Sequence, residues 1–197
     1  MTARLSILLA CAVVCSGAEE FSYWIEPCAH PETACQAGDP QLADWAMEAW
    51  QTASQGHLKV VKLANPRHAR IRIYWAGGRQ GLYGETRPRE SDGKRGADVF
   101  ILPDITQLGP EIAFAAARDP LLRDAIVYLT CLHESGHAFG LAHTAQYDDI
   151  MFSFGYGGDI PEYFGRYRRQ ITRRDDIRRH PGMSPADRDH LLQALAR

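Results

Sequence analysis

Between His133 and His143 the chain reads HESGHAFGLAH, and this stretch constrains the fold more than any other. His133 and His137 are one helical turn apart, so on a helix their imidazoles leave the same face and can share one ion. If the helix ran on, His143 would stand about 9 Å further along the axis. Two ligands each about 2 Å from one zinc cannot be that far apart. The helix therefore has to stop between them, and Gly140 is where a left-handed residue beyond the C-cap can turn the chain back. Glu134, beside the histidines, is poorly placed to ligate and well placed to act as a base on a metal-bound water. The remaining histidines, His30, His57, His68, His180 and His190, have no partners at such spacings and read as surface residues.

Asp119-Pro120 opens a helical run in which Leu121, Leu122, Ala125, Ile126, Leu129 and Leu132 keep helical spacing up to His133, so the histidines sit at the end of a helix. Upstream, residues 21–26 alternate bulky and polar side chains as a strand does. Asp39-Pro40 looks like a second helix start, with Asp39 as N-cap, and Leu42, Trp45, Ala46, Ala49 and Trp50 share one face as far as about residue 55. Strand-like runs follow at 58–63, 69–75, 82–87 and 98–102, the last nearly all apolar and therefore central. Ser184-Pro185 starts a closing helix over 186–196. One strand, a helix, four strands and a second long helix make an α/β domain with a mixed sheet of about five strands.

The chain has 197 residues, enough for one catalytic domain, and its formal charge of -2 carries no basic excess of the kind a nucleic-acid partner needs. Arg4, an apolar run over 5–14 and Ser16-Gly17-Ala18 read as a signal peptide spanning 1–18, too short to cross a membrane. A lipoprotein reading through Leu8-Leu9-Ala10-Cys11 stays open. Export to the periplasm or the outside is the expected fate. It would discard Cys11 and Cys15, leave Cys28 and Cys35 to form a disulfide, and leave Cys131 as a buried free thiol.

HExxHxxGxxH followed by Asp149-Ile150-Met151-Phe152 resembles the metzincin metalloproteases, and Gly136, Thr144 and the distance to Met151 bring it nearest the matrixin branch. The likeness covers residues 21–196. It implies a mostly parallel five-stranded twisted sheet with an antiparallel edge strand and two long helices. The catalytic domain, 19–197, would divide into an upper part, 19–143, and a small lower part, 144–197. The resemblance also implies one catalytic Zn2+ on His133, His137 and His143, Glu134 as base and Met151 as a hydrophobic floor. Leu82, Tyr83, Gly84 and Glu85 would be the edge along which an extended peptide lies. Phe152, Ser153 and Phe154 would wall the pocket for the side chain after the scissile bond, with an apolar preference.

Two departures from the family matter. Residues 76–98 hold no histidine for a second, structural zinc, with Ca2+ left undecided, and no cysteine-switch propeptide precedes a domain that already contains Cys28. The segment 155–182 carries Arg166, Arg168, Arg169, Arg173, Arg174, Arg178 and Arg179. They suit either an acidic substrate or polymer, or a solvated helix face paired with Asp175 and Asp176. The expected activity is that of a monomeric, secreted zinc endopeptidase. The alternatives are a zinc amidase acting on a non-protein, cell-wall amide and a silent zinc-containing binding module, against which the presence of Glu134 speaks.

Overall fold

Burial alternates with period two along the inner strands, and that alternation sets the architecture. In β1 (Glu19–Ile25) the side chains of Phe21, Tyr23 and Ile25 are buried, and in β3 (Ile71–Trp75) those of Ile71, Ile73 and Trp75 are. Each strand thus turns one face to the core. The computed structural model describes residues 17–78 and 83–197. The expected leader up to residue 16, with Cys11 and Cys15, and the expected edge residue Leu82 lie outside the described residues.

With β2 (Leu58–Lys62), β4 (Gly84–Ser91) and β5 (Lys94–Ile101), the sheet has the order β2-β1-β3-β5-β4. All neighbours are parallel except β4 and β5, which form an antiparallel pair and leave β4 on the edge. The protein is therefore an α/β domain with a mixed, mostly parallel five-stranded sheet. Two helices, α1 (Asp39–Ala53) and α3 (Pro120–Ala138), cover the buried face. Trp50 of α1 is fully buried and its indole N–H donates to the Leu132 carbonyl at 2.9 Å, which ties the two helices together near the histidines.

Four expectations change in the structure. Gly38, not Asp39, is the N-cap of α1. The Asp39 carboxylate instead accepts from the Gln36 N–H at 2.9 Å and forms a buried ion pair with Arg123 of α3, because a carboxylate out of water needs a guanidinium more than a cap. The charged stretch between the expected strands 82–87 and 98–102 is itself largely strand. The β4–β5 hairpin reverses at Asp92-Gly93, both with positive φ (53° and 69°), the two-residue turn whose twist matches the strands. No residue of β4 is fully buried, so neither of its faces shows an apolar alternation, which is why periodicity missed much of it. A helix not foreseen, α2 (Pro110–Arg118), precedes α3.

The fourth change concerns the arginine-rich segment, which forms α4 (Ile160–Arg168) and the short α5 (Asp176–Arg179). Arg173 and Arg179 pair with Asp176, but the others reach acids elsewhere: Arg166 to Asp148, Arg168 to Asp119, Arg169 to Glu162, Arg174 to Asp124 and Arg178 to Glu48. Asp175 pairs with none of them. Exposed pairs of this kind are worth about 0–1 kcal/mol each, so they locate the segment more than they stabilise it.

The closing helix α6 (Pro185–Leu195) starts with a capping box. The Ser184 hydroxyl accepts from the Asp187 N–H, and the Asp187 carboxylate accepts from the Ser184 N–H. Cys28 and Cys35 are disulfide-bonded and Cys131 is a buried free thiol. Among the described residues, no helix is long and apolar enough to cross a membrane.

Candidate metal centre

α3 is capped by Asp119, whose carboxylate accepts from the N–H groups of Leu121 and Leu122. From Ala125 onward almost every residue is buried, so the helix carries its last turn through the centre of the molecule. It stops as the histidine spacing demands. Gly140 takes φ +95°, its N–H bonds the His137 carbonyl at 2.9 Å, and the Leu141 N–H bonds the Gly136 carbonyl at 3.0 Å. This paired closure of a helix end turns the chain so that His143 faces back onto the helix. It also brings the Leu141 carbonyl to 2.8 Å from His137 Nδ1. One glycine thus terminates the helix, delivers the third ligand and orients the second.

His133 Nδ1 lies 2.7 Å from the Ile150 carbonyl. A carbonyl only accepts, so Nδ1 of His133 and of His137 must carry the proton, and Nε2 of each must present a lone pair. Those lone pairs converge on His143, whose Nε2 is 3.2 Å from that of His133 and 3.0 Å from that of His137. Burial pushes the His133 imidazole down to about 3, assisted by the neighbouring His137, and burial also lowers His137 and His143. The two lone pairs face His143 Nε2, and they repel one another unless a cation or a proton on that nitrogen lies between them. The three histidines are close enough to hold a metal ion.

Glu134 is buried against β4. A Cβ on Gly84 would lie 2.5 Å from Glu134 Cγ, so only glycine lets the carboxylate lie flat against that strand. The Thr86 hydroxyl is 2.7 Å from Glu134 Oε2 and 2.8 Å from the Glu134 carbonyl, while Oε1 lies against Gly84. Burial pushes the Glu134 carboxyl up to about 7, against the Thr86 hydroxyl, which lowers it, and with a smaller push from Glu85.

Beneath the histidines Met151 is fully buried, and a Cβ on Gly136 would stand 2.5 Å from its sulfur and 2.9 Å from Trp50 Cζ2. Gly136 is therefore a glycine because Met151 lies directly under the helix. The methionine turn is held from α6: Asp187 accepts from the Ile150 N–H at 2.9 Å and the Met151 N–H at 3.3 Å. Since the Ile150 carbonyl receives His133 Nδ1, Asp187 positions the first ligand through the turn.

The cleft in front of the histidines has a volume of about 610 Å³, and Tyr83, Gly84, Glu85, Ser153 and Phe154 all line it. Phe152 does not. It is 4% exposed and stacks on Tyr163 behind the wall. In β4, the bond from the Leu102 N–H to the Tyr83 carbonyl and the pairing of Glu85 with Phe100 set which groups face inward. The backbones of Tyr83, Glu85 and Arg87 point to β5, and those of Gly84, Thr86 and Pro88 point to the free edge. Pro88 has no N–H to offer there.

Thr86 and Asp187 bear on the candidate site, and sequence reasoning did not single them out. Ser184-Pro185 marked the start of α6, but nothing local links Asp187 to a turn more than thirty residues earlier. Among the described residues, no other group of three or more His, Cys, Asp or Glu side chains gathers around one point as these histidines do. No protein-family model matches the chain, and no curated protein is significantly similar to it.

Proposed function

We propose that this chain is a zinc-dependent endopeptidase of metzincin type. The observation that carries the reading is the convergence of three histidine Nε2 atoms beside a buried carboxylate, in a cleft bordered by the edge strand β4. Three imidazoles are a donor set suited to zinc, whose tetrahedral ligand nitrogens at about 2.0 Å from the ion stand about 3.3 Å apart. The 3.0 and 3.2 Å separations are close to that spacing. When bound, such an ion polarises a carbonyl and makes water more acidic.

The chain's own residues supply the rest. The Glu134 carboxylate takes a proton from the attacking water and hands it to the leaving amine, with Thr86 beside it to hold its orientation. His133 and His137 stay aligned through the Ile150 and Leu141 carbonyls. An extended peptide pairs with the free N–H and C=O groups of Gly84 and Thr86, which binds backbone rather than any one sequence. The Cys28–Cys35 disulfide fits action outside the reducing cytoplasm.

The test is zinc content and casein cleavage, side by side, for the mature chain and Glu134→Ala. Both should hold about one zinc per chain at the three histidines, and only the parent should cut. A parent that holds zinc but cuts neither casein nor a peptide library would sink the reading in favour of a non-protein amide or a silent binding module.

A further inference from the structure

The family resemblance implies that residues 152–154 wall a pocket for the side chain after the scissile bond, and of these Ser153 and Phe154 line the cleft. In the structure the space in front of that wall is taken by the chain's own Tyr83. Its ring centroid lies 6.3 Å from His133, 5.9 Å from Phe154 and 6.3 Å from Phe164, each edge-to-face. Rings at 4.5–7 Å are in direct contact, so the Tyr83 ring fills the space between His133, Phe154 and Phe164 and narrows the cleft there.

The surroundings cannot give way. Phe164 is 1% exposed and packs on Tyr163 at 5.3 Å, and Tyr163 contacts Phe154 at 5.2 Å while its hydroxyl donates to the Asp149 carbonyl at 3.0 Å. Tyr83 is itself pinned, because its carbonyl accepts from the Leu102 N–H at 3.0 Å and Gly84 follows directly against Glu134. A peptide paired to Gly84 and Thr86 therefore runs past the Tyr83 ring, and a side chain that enters the cleft towards Phe154 meets that ring.

We propose that Tyr83 restricts cleavage to bonds followed by a small residue, glycine, alanine or serine, in place of the general apolar preference that the resemblance implied. This rests on the peptidase reading above. Tyr83 acts as a specificity residue by occupying volume, so phenylalanine should replace it and alanine should not.

The experiment is mass-spectrometric mapping of cut sites in a random peptide library for the zinc-loaded parent, Tyr83→Phe and Tyr83→Ala. It is paired with kcat/KM on two peptides differing only in alanine or leucine after the cut. The parent should favour alanine by at least about tenfold, the lower range of what one methylene is worth in a shaped site. Tyr83→Phe should keep that preference, and Tyr83→Ala should reverse it. A parent that cuts equally well before leucine or phenylalanine overturns the proposal whether or not any variant folds. So does a folded, zinc-loaded Tyr83→Ala with the parent's profile. A parent that cuts no peptide at all refutes the peptidase reading itself and takes this inference with it.

Discussion

Gly84→Ala adds one methyl group where the structure has no room for it. The new Cβ would lie 2.5 Å from Glu134 Cγ and 2.6 Å from Oε1, against the 3.4 Å at which ordinary contact begins. Gly84 is not among the residues with positive φ, so alanine suits the backbone and the effect is purely steric. The main chain of Glu134 is fixed within the buried end of α3, which leaves the carboxylate to retreat by about 1 Å, a displacement that costs about 100-fold in a positioned reaction. The bond to Thr86 is lost in the process. Steady-state kinetics on a peptide cut by the parent should show kcat down about 100-fold with KM little changed. Zinc content should hold, because no ligand is touched. A kcat within about threefold of the parent, with zinc retained, would mean that close contact between β4 and Glu134 does not place the base and would refute the reasoning.

Gly136→Ala should weaken the fold rather than the chemistry, since Met151 and Trp50 must both move. A loss of about 1–3 kcal/mol in urea unfolding is expected, and an unchanged midpoint would show that the floor can yield. Arg123→Leu leaves Asp39 buried without its partner, which should cost about 3–5 kcal/mol. The double variant Arg123→Leu, Asp39→Leu should recover part of that loss, and failure to do so would place the cost elsewhere. Asp187→Asn removes an acceptor from the turn behind His133 and should weaken zinc affinity about 10- to 100-fold in competition with a chelator, whereas full affinity would show that α6 does not position that ligand.

The sequence by itself determined what short-range chemistry can determine. The spacing of His133, His137 and His143 required a helix that ends between them, and Gly140 ends it with φ +95°. Asp119 and Ser184 cap the helices they were expected to cap, and Cys28 pairs with Cys35. In each case the partners lie within a few residues, so local geometry leaves little freedom. The alternation of Ile71, Ile73 and Trp75 likewise marked a buried face before any partner strand was known.

Only the tertiary structure decided what meets across the chain. Thr86 reaches Glu134 across 48 residues and Asp187 reaches Ile150 across 37, and neither carries a local signal, because a threonine in a strand and an aspartate in a capping box have sufficient local explanations. Asp39 looked like a cap until folding brought Arg123 to it. The β4–β5 hairpin was obscured because its side chains are charged and half wet, and its position on the sheet edge, which frees Gly84 and Thr86 to pair, follows from strand order alone. The ring of Tyr83 has the same origin. Periodicity says which face of an element is buried, but only the packed core says what that face is buried against.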